Sequence, residues 1–469
     1  MTDALDLTAN PWFFAGIGGS GMLPLALILR GLGATIAGSD RSRDQGRSPE
    51  KFAWLEAQGI ALHPQDGSGL ASPAQTLVAS AAVEDSVPEV VRARDLGCAR
   101  LSRAELLAAL FNAAPQGIAV GGTSGKSTVT GMLGWILTAT GRDPTIMNGA
   151  VMKNFADADT PFASACVGGG GTFVSEVDES DGSIALYRPQ VAVLNNVSLD
   201  HKTMDELRAL FGAFLAAAAI AVVNLDDPEA AALLSWASRT ITFGESAAAD
   251  IRATAIDDAM TGVRATVEDG RDGSTHPLTL QVPGRHNLAN ALAAIGGAAA
   301  VGVPLADAVA ALAGFQGLAR RFEVIGTTAS GITVIDDFGH NPDKVAATLA
   351  TLRNSEGRVL AFFQPHGFGP LRQMGRELAQ TFVQQLTRED VVVVCDPVYY
   401  GGTTDRSVGS ADLVAMIAGA GGNAEYVARR DDCADRLVEL AQPGDRIVVM
   451  GARDDTLSEF ARGVLARLG

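Results

Sequence analysis

Residues 121–128 read Gly-Gly-Thr-Ser-Gly-Lys-Ser-Thr, and this run constrains what the chain can fold into more than any other. The apolar Gly117-Ile-Ala-Val120 before it has the composition of a buried strand, and the segment from Ser127 onward has the pattern of a helix. A strand, a glycine turn and a helix start, in that order, aim backbone amides and the positive end of a helix at one spot. Such a spot binds polyphosphate. Within it Lys126 can neutralise the outer phosphates of ATP and Ser127 can hold Mg2+. Gly122, Thr123, Ser124, Gly125 and Thr128 complete the loop, whose spacing is shorter than the common GxxxxGK[ST] form.

The N-terminal stretch PWFFAGIGGSGMLPLALILRGLGATIAGSD begins a second unit of the same kind. Its turn, Gly16-Ile-Gly-Gly-Ser-Gly21, fits GxGxxG, and Asp40 ends the strand that follows. Alone this reads as a dinucleotide-binding turn, or as glycines that serve close helix–strand packing. A hydride-transfer enzyme has no need of an ATP loop. The turn Gly16, Gly18, Gly19, Ser20 and Gly21 is therefore read as holding the diphosphate of a nucleotide-linked substrate.

With 469 residues the chain is too long for one core, and roughly 100 to 200 residues per domain gives about three domains. The helical LSRAELLAALF ends just before Pro115 and Gln116, which sets the first boundary; GLARRF at 317–322 leads into a fresh strand and sets the second. The expected architecture is α/β, with three domains in series. Residues 1–115 form a Rossmann-like domain, 116–320 a central P-loop ATPase-like domain with a mostly parallel sheet, and 321–469 a Rossmann-like α/β domain. A helix is expected from about Thr203 to Ala219, and the alternating segment 251–282 reads as an antiparallel excursion.

A formal net charge of -17 excludes a broad nucleic-acid or anionic-membrane surface. Cys98, Cys166, Cys395 and Cys433 show no paired spacing, which fits neither a zinc cluster nor a disulfide framework and suits a reducing cytoplasm. No basic stretch precedes the first apolar run, and no apolar segment approaches the ~18 residues of a membrane span, so neither secretion nor membrane insertion is expected.

The acidic run Ser175-Glu-Val-Asp-Glu-Ser-Asp181 ends an apolar strand in the ATP-loop domain, where a nucleotide-bound magnesium needs an oxygen ligand. The plain alternative is a solvated charge cluster. Asp200-His201 follows the next strand, VAVLNNVS, and offers an imidazole there.

FFAGIGGSGM, GGTSGKST, SEVDESDGS, NNVSLDH, NLDD, PGRHNLANALAA, GLARRFE, IDDFGHNP and FQPH occur in an order that resembles the Mur ligases of bacterial cell-wall synthesis. The resemblance runs from about residue 12 to residue 370. It implies an ATP-dependent ligase that activates UDP-N-acetylmuramate as an acyl phosphate and joins it to L-alanine or a similar amino acid. It further implies that Gly16 to Gly21 hold the UDP diphosphate with Asp40 near the uridine. Lys126 would contact the ATP phosphates, and Ser127, Glu176 and His201 would anchor magnesium. Asn224, Asn287 and Asn290 would surround the adenine and Asp336 the ribose, while Arg321 would reach phosphate as the third domain closes. His340, His366 and Arg372 would serve the amine substrate.

Family members usually carry histidine at Ser124, tyrosine at Phe338, a second histidine at Asn341, and arginines at Gly367 and Pro370. An arginine fork grips an amino-acid carboxylate well, so its loss also suits a short peptide or a different amino acid as acceptor. Tyr399, Tyr400, Asp405 and Arg406 could line an altered amine site or form a polar loop. A third reading is a homologue that binds nucleotide or UDP-sugar without catalysis. No nucleic-acid or membrane partner is expected, and the protein would act as a monomer or homodimer.

Overall fold

Trp12–Ala15 is the central strand of a five-stranded parallel sheet in the order Ala61–His63, Ile36–Ser39, Trp12–Ala15, Thr76–Ala79, Ala99–Ser102. Side chains alternate across a strand, so Trp12 and Phe14 enter one buried cluster while Phe13 and Ala15 enter another. The chain builds outward to one side of Trp12–Ala15 and then to the other. The glycine turn that follows this strand therefore sits where the strand order reverses. The computed structural model describes residues 7–8, 10–80, 83–199, 202–354, 356–399, 405–452, 454 and 456–469.

Helix Arg103–Ala113 starts with a reciprocal capping box between Ser102 and Glu105, then delivers Phe111 to the next sheet. Phe111 is fully buried, edge-on to Phe173 at 5.7 Å and to Tyr187 at 5.1 Å. That second sheet has ten strands, and Gln116–Gly121 runs parallel between Thr172–Glu176 and Val191–Leu194. Ile220–Asn224 and Thr240–Gly244 extend it in the same sense. Beyond them come Ile251–Ala259, Gly262–Asp269 and Thr275–Leu280. The first two are sheet neighbours joined only by Met260 and Thr261, a connection that an antiparallel pair alone permits. The helix expected near Thr203 runs Met204–Ala216, with Thr203 as its cap.

By contact density the chain divides into two units. The first comprises Met1–Ile256, Arg264–Leu280 and Asn287–Gly317, and so holds the first sheet and all of the second except residues 257–259 and 262–263 of two strands. The second comprises Asp257–Val263, Gln281–His286 and Leu318–Gly469. Its sheet orders Glu323–Thr327, Thr333–Asp337, Arg446–Gly451, Val359–Gln364, Val391–Val394 and Ala424–Tyr426, with only the first pair antiparallel. Helices cover both faces: Val392 and Val394 pack in one cluster, Val391 and Val393 in the opposite one. Burial on both sides explains why this strand reads as an unbroken valine run. All four cysteines are free thiols, and no helix among the described residues is long and apolar enough to cross a membrane.

Phe111→Ala removes the ring that joins the first helical layer to the central sheet. The expected loss is about 3 to 5 kcal/mol of unfolding free energy in the first unit, measured by urea denaturation.

Candidate active site

Parallel pairing aligns the carboxyl ends of neighbouring strands, and the candidate site is assembled from those ends. Val120 is level with Glu176, Gly121 with Leu194, and Leu194 with Val223. The glycine loop, the acidic run, Asn195–Asn196 and Asn224 consequently emerge side by side. Ser127, in the first turn of Lys126–Ala139, donates its hydroxyl to Glu176 Oε2 at 2.8 Å. Lys126 Nζ donates to Gly122 O and to Glu179 Oε2, both at 2.7 Å. Burial pushes the Asp178 carboxyl up, but bonds from Ser180 and the charges of Lys126 and Arg103 outweigh it and hold the pKa below the ordinary aspartate value.

The loop is held in shape by asparagine amides. Asn196 Oδ1 accepts from Ser124 N at 2.8 Å and Thr123 Oγ1 at 3.0 Å, while its Nδ2 donates to Ser124 O at 3.1 Å. Asn195 Nδ2 donates to Asn290 Oδ1 at 2.8 Å, and Asn290 Nδ2 to Asn287 Oδ1 at 3.1 Å. Asn224 Nδ2 donates to Asn195 O at 2.9 Å. Asn224, Asn287 and Asn290 thus lie in one buried network against the loop. Asn195 and Asn196 were not singled out in the sequence, although the paired amides after the strand VAVL are a visible signal. Gly125 has φ +82°, and a Cβ there would lie 2.4 Å from Asn290 Oδ1, so the loop tolerates only glycine at that point.

At the N-terminal turn Asp40 accepts from Gly18 N and Ser42 N, both at 2.8 Å, which ties the turn to the next helix start. Gly16 N and Ile17 N donate to Ser39 O. Gly19 and Ser20 are exposed at the crest. His201, with Asp200, lies outside the described residues.

The second unit gathers its own cluster at the ends of Thr333–Asp337 and Val359–Gln364. His340 and His366 stand edge to face at 5.0 Å, and the guanidinium of Arg321 lies 4.6 Å over the Phe338 ring. His340 Nδ1 is 2.8 Å from Phe338 O; a carbonyl only accepts, so Nδ1 carries the proton and Nε2 is left as acceptor. Burial, then the charge of Lys344, holds this imidazole well below the ordinary histidine pKa. Arg372 pairs with Asp405 at 3.1 Å, and Arg406 stacks over Tyr399 at 3.6 Å and Phe368 at 5.8 Å. Asn341 caps Pro342–Leu352 by accepting from Lys344 N at 2.9 Å. Asp336 is fully buried, accepts from Ser458 Oγ at 2.6 Å and faces Arg320 at 3.5 Å; burial pushes its carboxyl up. Tyr400 lies outside the described residues.

Three family models match in order: "Mur ligase family, catalytic domain" over 13–114, "Mur ligase middle domain" over 120–298 and "Mur ligase, glutamate ligase domain" over 320–453. The chain belongs to the Mur ligase family. The UDP-N-acetylmuramate–L-alanine ligase of Cutibacterium acnes is 37% identical over 473 residues, covering 97% of this chain and 96% of its own. That of Streptomyces coelicolor is 36% identical over 471 residues, covering 97% of each. Among solved structures, the UDP-N-acetylmuramate-alanine ligase of Thermotoga maritima superposes with a TM-score of 0.80 at 25% identity, over 98% of this chain and 99% of that one. A murein peptide ligase of Psychrobacter arcticus gives 0.71 at 25% identity, again over 98% and 99%. Mur ligases are ATP-dependent and form carbon–nitrogen bonds, and this Mur ligase shares their three-domain α/β architecture.

The donor set of this Mur ligase suits magnesium. Among the described residues no group of three or more His, Cys, Asp or Glu side chains is placed to hold a metal, but the hydroxyl and carboxylate of Ser127 and Glu176 form a hard oxygen pair beside the loop. Magnesium keeps several waters and takes substrate phosphates, so a small protein share is what it needs.

Two outcomes follow from this geometry. A Cβ at Gly149 would lie 2.3 Å from Glu176 Oε1, so Gly149→Ala displaces that carboxylate; turnover is expected to fall at least about 100-fold with unchanged circular dichroism. Folded His340 resists protonation, so the stability it contributes is full above the unfolded pKa of ~6.5 and declines as pH falls toward the lower folded value. In thermal melts His340→Asn should flatten that part of the acid slope.

Proposed function

We propose that this Mur ligase uses ATP to activate the carboxylate of UDP-N-acetylmuramate and joins it to the amino group of L-alanine or a similar amino acid, in the cytoplasm, as a monomer or homodimer. The observation that carries this reading is the Lys126 loop beside the Ser127–Glu176 oxygen pair, in a chain that is alike over nearly its whole length to relatives named for that reaction. In this reading residues 1–115 bind the sugar nucleotide, 116–320 bind ATP and 321–469 bind the amine.

A carboxylate is a poor acylating agent, and its approach to a triphosphate brings two anions together. Lys126 exchanges Glu179 and Gly122 O for the outer phosphates and so offsets that repulsion. Ser127, Glu176 and His201 would hold magnesium, which when bound withdraws charge from the phosphoryl oxygens. The carboxylate oxygen attacks the γ-phosphorus, the bond to the β-phosphate oxygen breaks and ADP leaves. The amine nitrogen then attacks the acyl carbon, and phosphate departs. Nε2 of neutral His340 takes the amine proton, Arg321 meets developing phosphate charge, and His366 with Arg372 orients the acceptor. Asn224, Asn287 and Asn290 face the adenine and Asp336 the ribose. Gly16, Gly18, Gly19, Ser20 and Gly21 cradle the UDP diphosphate, with Asp40 fixing the turn near the uridine.

A second acceptor class has its own support. Gly367 and Pro370 stand where the family pattern places arginines, and Arg406 is instead stacked on Tyr399 and Phe368 beside the Arg372–Asp405 pair. A carboxylate on a larger amino acid or short peptide suits that relocated guanidinium.

Phosphate release from ATP, assayed with UDP-N-acetylmuramate across amino acids and short peptides, separates the readings. Alanine-stimulated release supports the first acceptor and release only with a larger acceptor supports the second. Silence with every acceptor, despite nucleotide binding, rejects the ligase. Lys126→Ala is expected to lose at least about 1,000-fold in turnover while staying folded; a wild-type rate would remove the loop from the reaction.

A further inference from the structure

The N-terminal turn offers a diphosphate few free amides of its own. Gly18 N is committed to Asp40, Gly19 N to Gly16 O, and Met22 N and Leu23 N to Gly19 O. Only the amides of Ser20 and Gly21 have no partner among the described residues. Two amides offset little of a diphosphate's charge in a chain of net charge -17, so a cation standing close would supply what they lack. Lys51, on the Gly18 side, already donates to Gly18 O at 3.4 Å and lies 5.9 Å over the Phe162 ring.

Arg103 stands on the other side. A Cβ built on Gly21 would lie 3.0 Å from Arg103 Cδ, 3.3 Å from Nε and 3.4 Å from Nη1, so the absence of a side chain at Gly21 is what lets the guanidinium lie against the turn. Its one ion pair among the described residues is long, 3.8 Å from Nη2 to Asp181 Oδ2. The side chain is 22% exposed and opens helix Arg103–Ala113, whose capping box fixes the point from which it projects. Its contacts with Gly21 and Asp181 place it between the N-terminal turn and the acidic run 175–181, and its charge draws the Asp178 pKa down.

We propose that Arg103 is a ligand of the UDP-sugar, gripping the diphosphate at Gly21 with donors that the turn lacks. This rests on the sugar-nucleotide reading of the N-terminal turn. Guanidinium–phosphate contacts are charge-assisted and often bidentate, so removing one is felt mainly in binding.

Isothermal titration of the full chain with UDP and with UDP-N-acetylmuramate tests it. Arg103→Ala is expected to weaken both ligands about 10- to 100-fold, with the KM for ATP unchanged and the melting temperature held; Arg103→Lys should recover part of the loss. Asp181→Asn, which removes the long ion pair but keeps the acceptor for Ser183 N, should leave both affinities within about twofold. Equal loss in Asp181→Asn and Arg103→Ala would make the arginine a brace and overturn the proposal. So would an unchanged UDP affinity in Arg103→Ala, including the case where only UDP-N-acetylmuramate weakens, since the contact would then be to its carboxylate. Wild-type protein that binds neither ligand overturns the sugar-nucleotide reading itself, a result distinct from any variant effect.

Discussion

Parallel pairing of Gln116–Gly121 between Thr172–Glu176 and Val191–Leu194 is the constraint on which the candidate site depends. Hydrogen bonds between parallel strands set all carboxyl ends on one side of the sheet, and the register makes Val120 level with Glu176. Residues far apart in the chain, such as Ser127 and Glu176, then meet at 2.8 Å without any loop having to reach. A slip of two residues in that register would move Glu176 by roughly 7 Å along the strand and dissolve the oxygen pair.

Around this frame the polar residues divide their work. Asparagines, which carry both donors and acceptors and no charge, occupy the buried positions, and Asn195, Asn196 and Asn290 hold the loop backbone and one another. Charge enters as a closed pair, partly exposed Lys126 being balanced by buried Glu179. Burying an unpaired charge is costly and burying a hydrogen-bonded amide is not, so shape is delegated to neutral side chains and charge to an ion pair. The second unit follows a related logic: neutral His340 is half-buried, while Arg372 and Arg406 remain at the surface on a carboxylate and on aromatic rings.

Legibility in the sequence varied with the range of the interaction. The strand–glycine turn–helix at 116–139, the N-terminal glycine turn and the helix at Met204–Ala216 were readable because each is specified within about twenty neighbouring residues, by glycines, caps and apolar periodicity. Asn195 and Asn196 were visible as a pair but silent about purpose, since amides are as common in loops as in networks. Arg103 gave no signal at all, because its significance lies in a close approach to Gly21, 82 residues earlier in the chain.

The sequence by itself determined that this protein is built from parallel α/β layers, carries a glycine loop between strand and helix at 121–128 and resembles the Mur ligases, because local backbone geometry and ordered motifs are written residue by residue. Only the tertiary structure decided which side chains face one another: that Glu179 balances Lys126, that two asparagines close on Gly125, and that Arg103 leans on a glycine at the start of another helix. Those contacts depend on strand register and helix packing, which are set by the summed burial of many apolar side chains and have no local code.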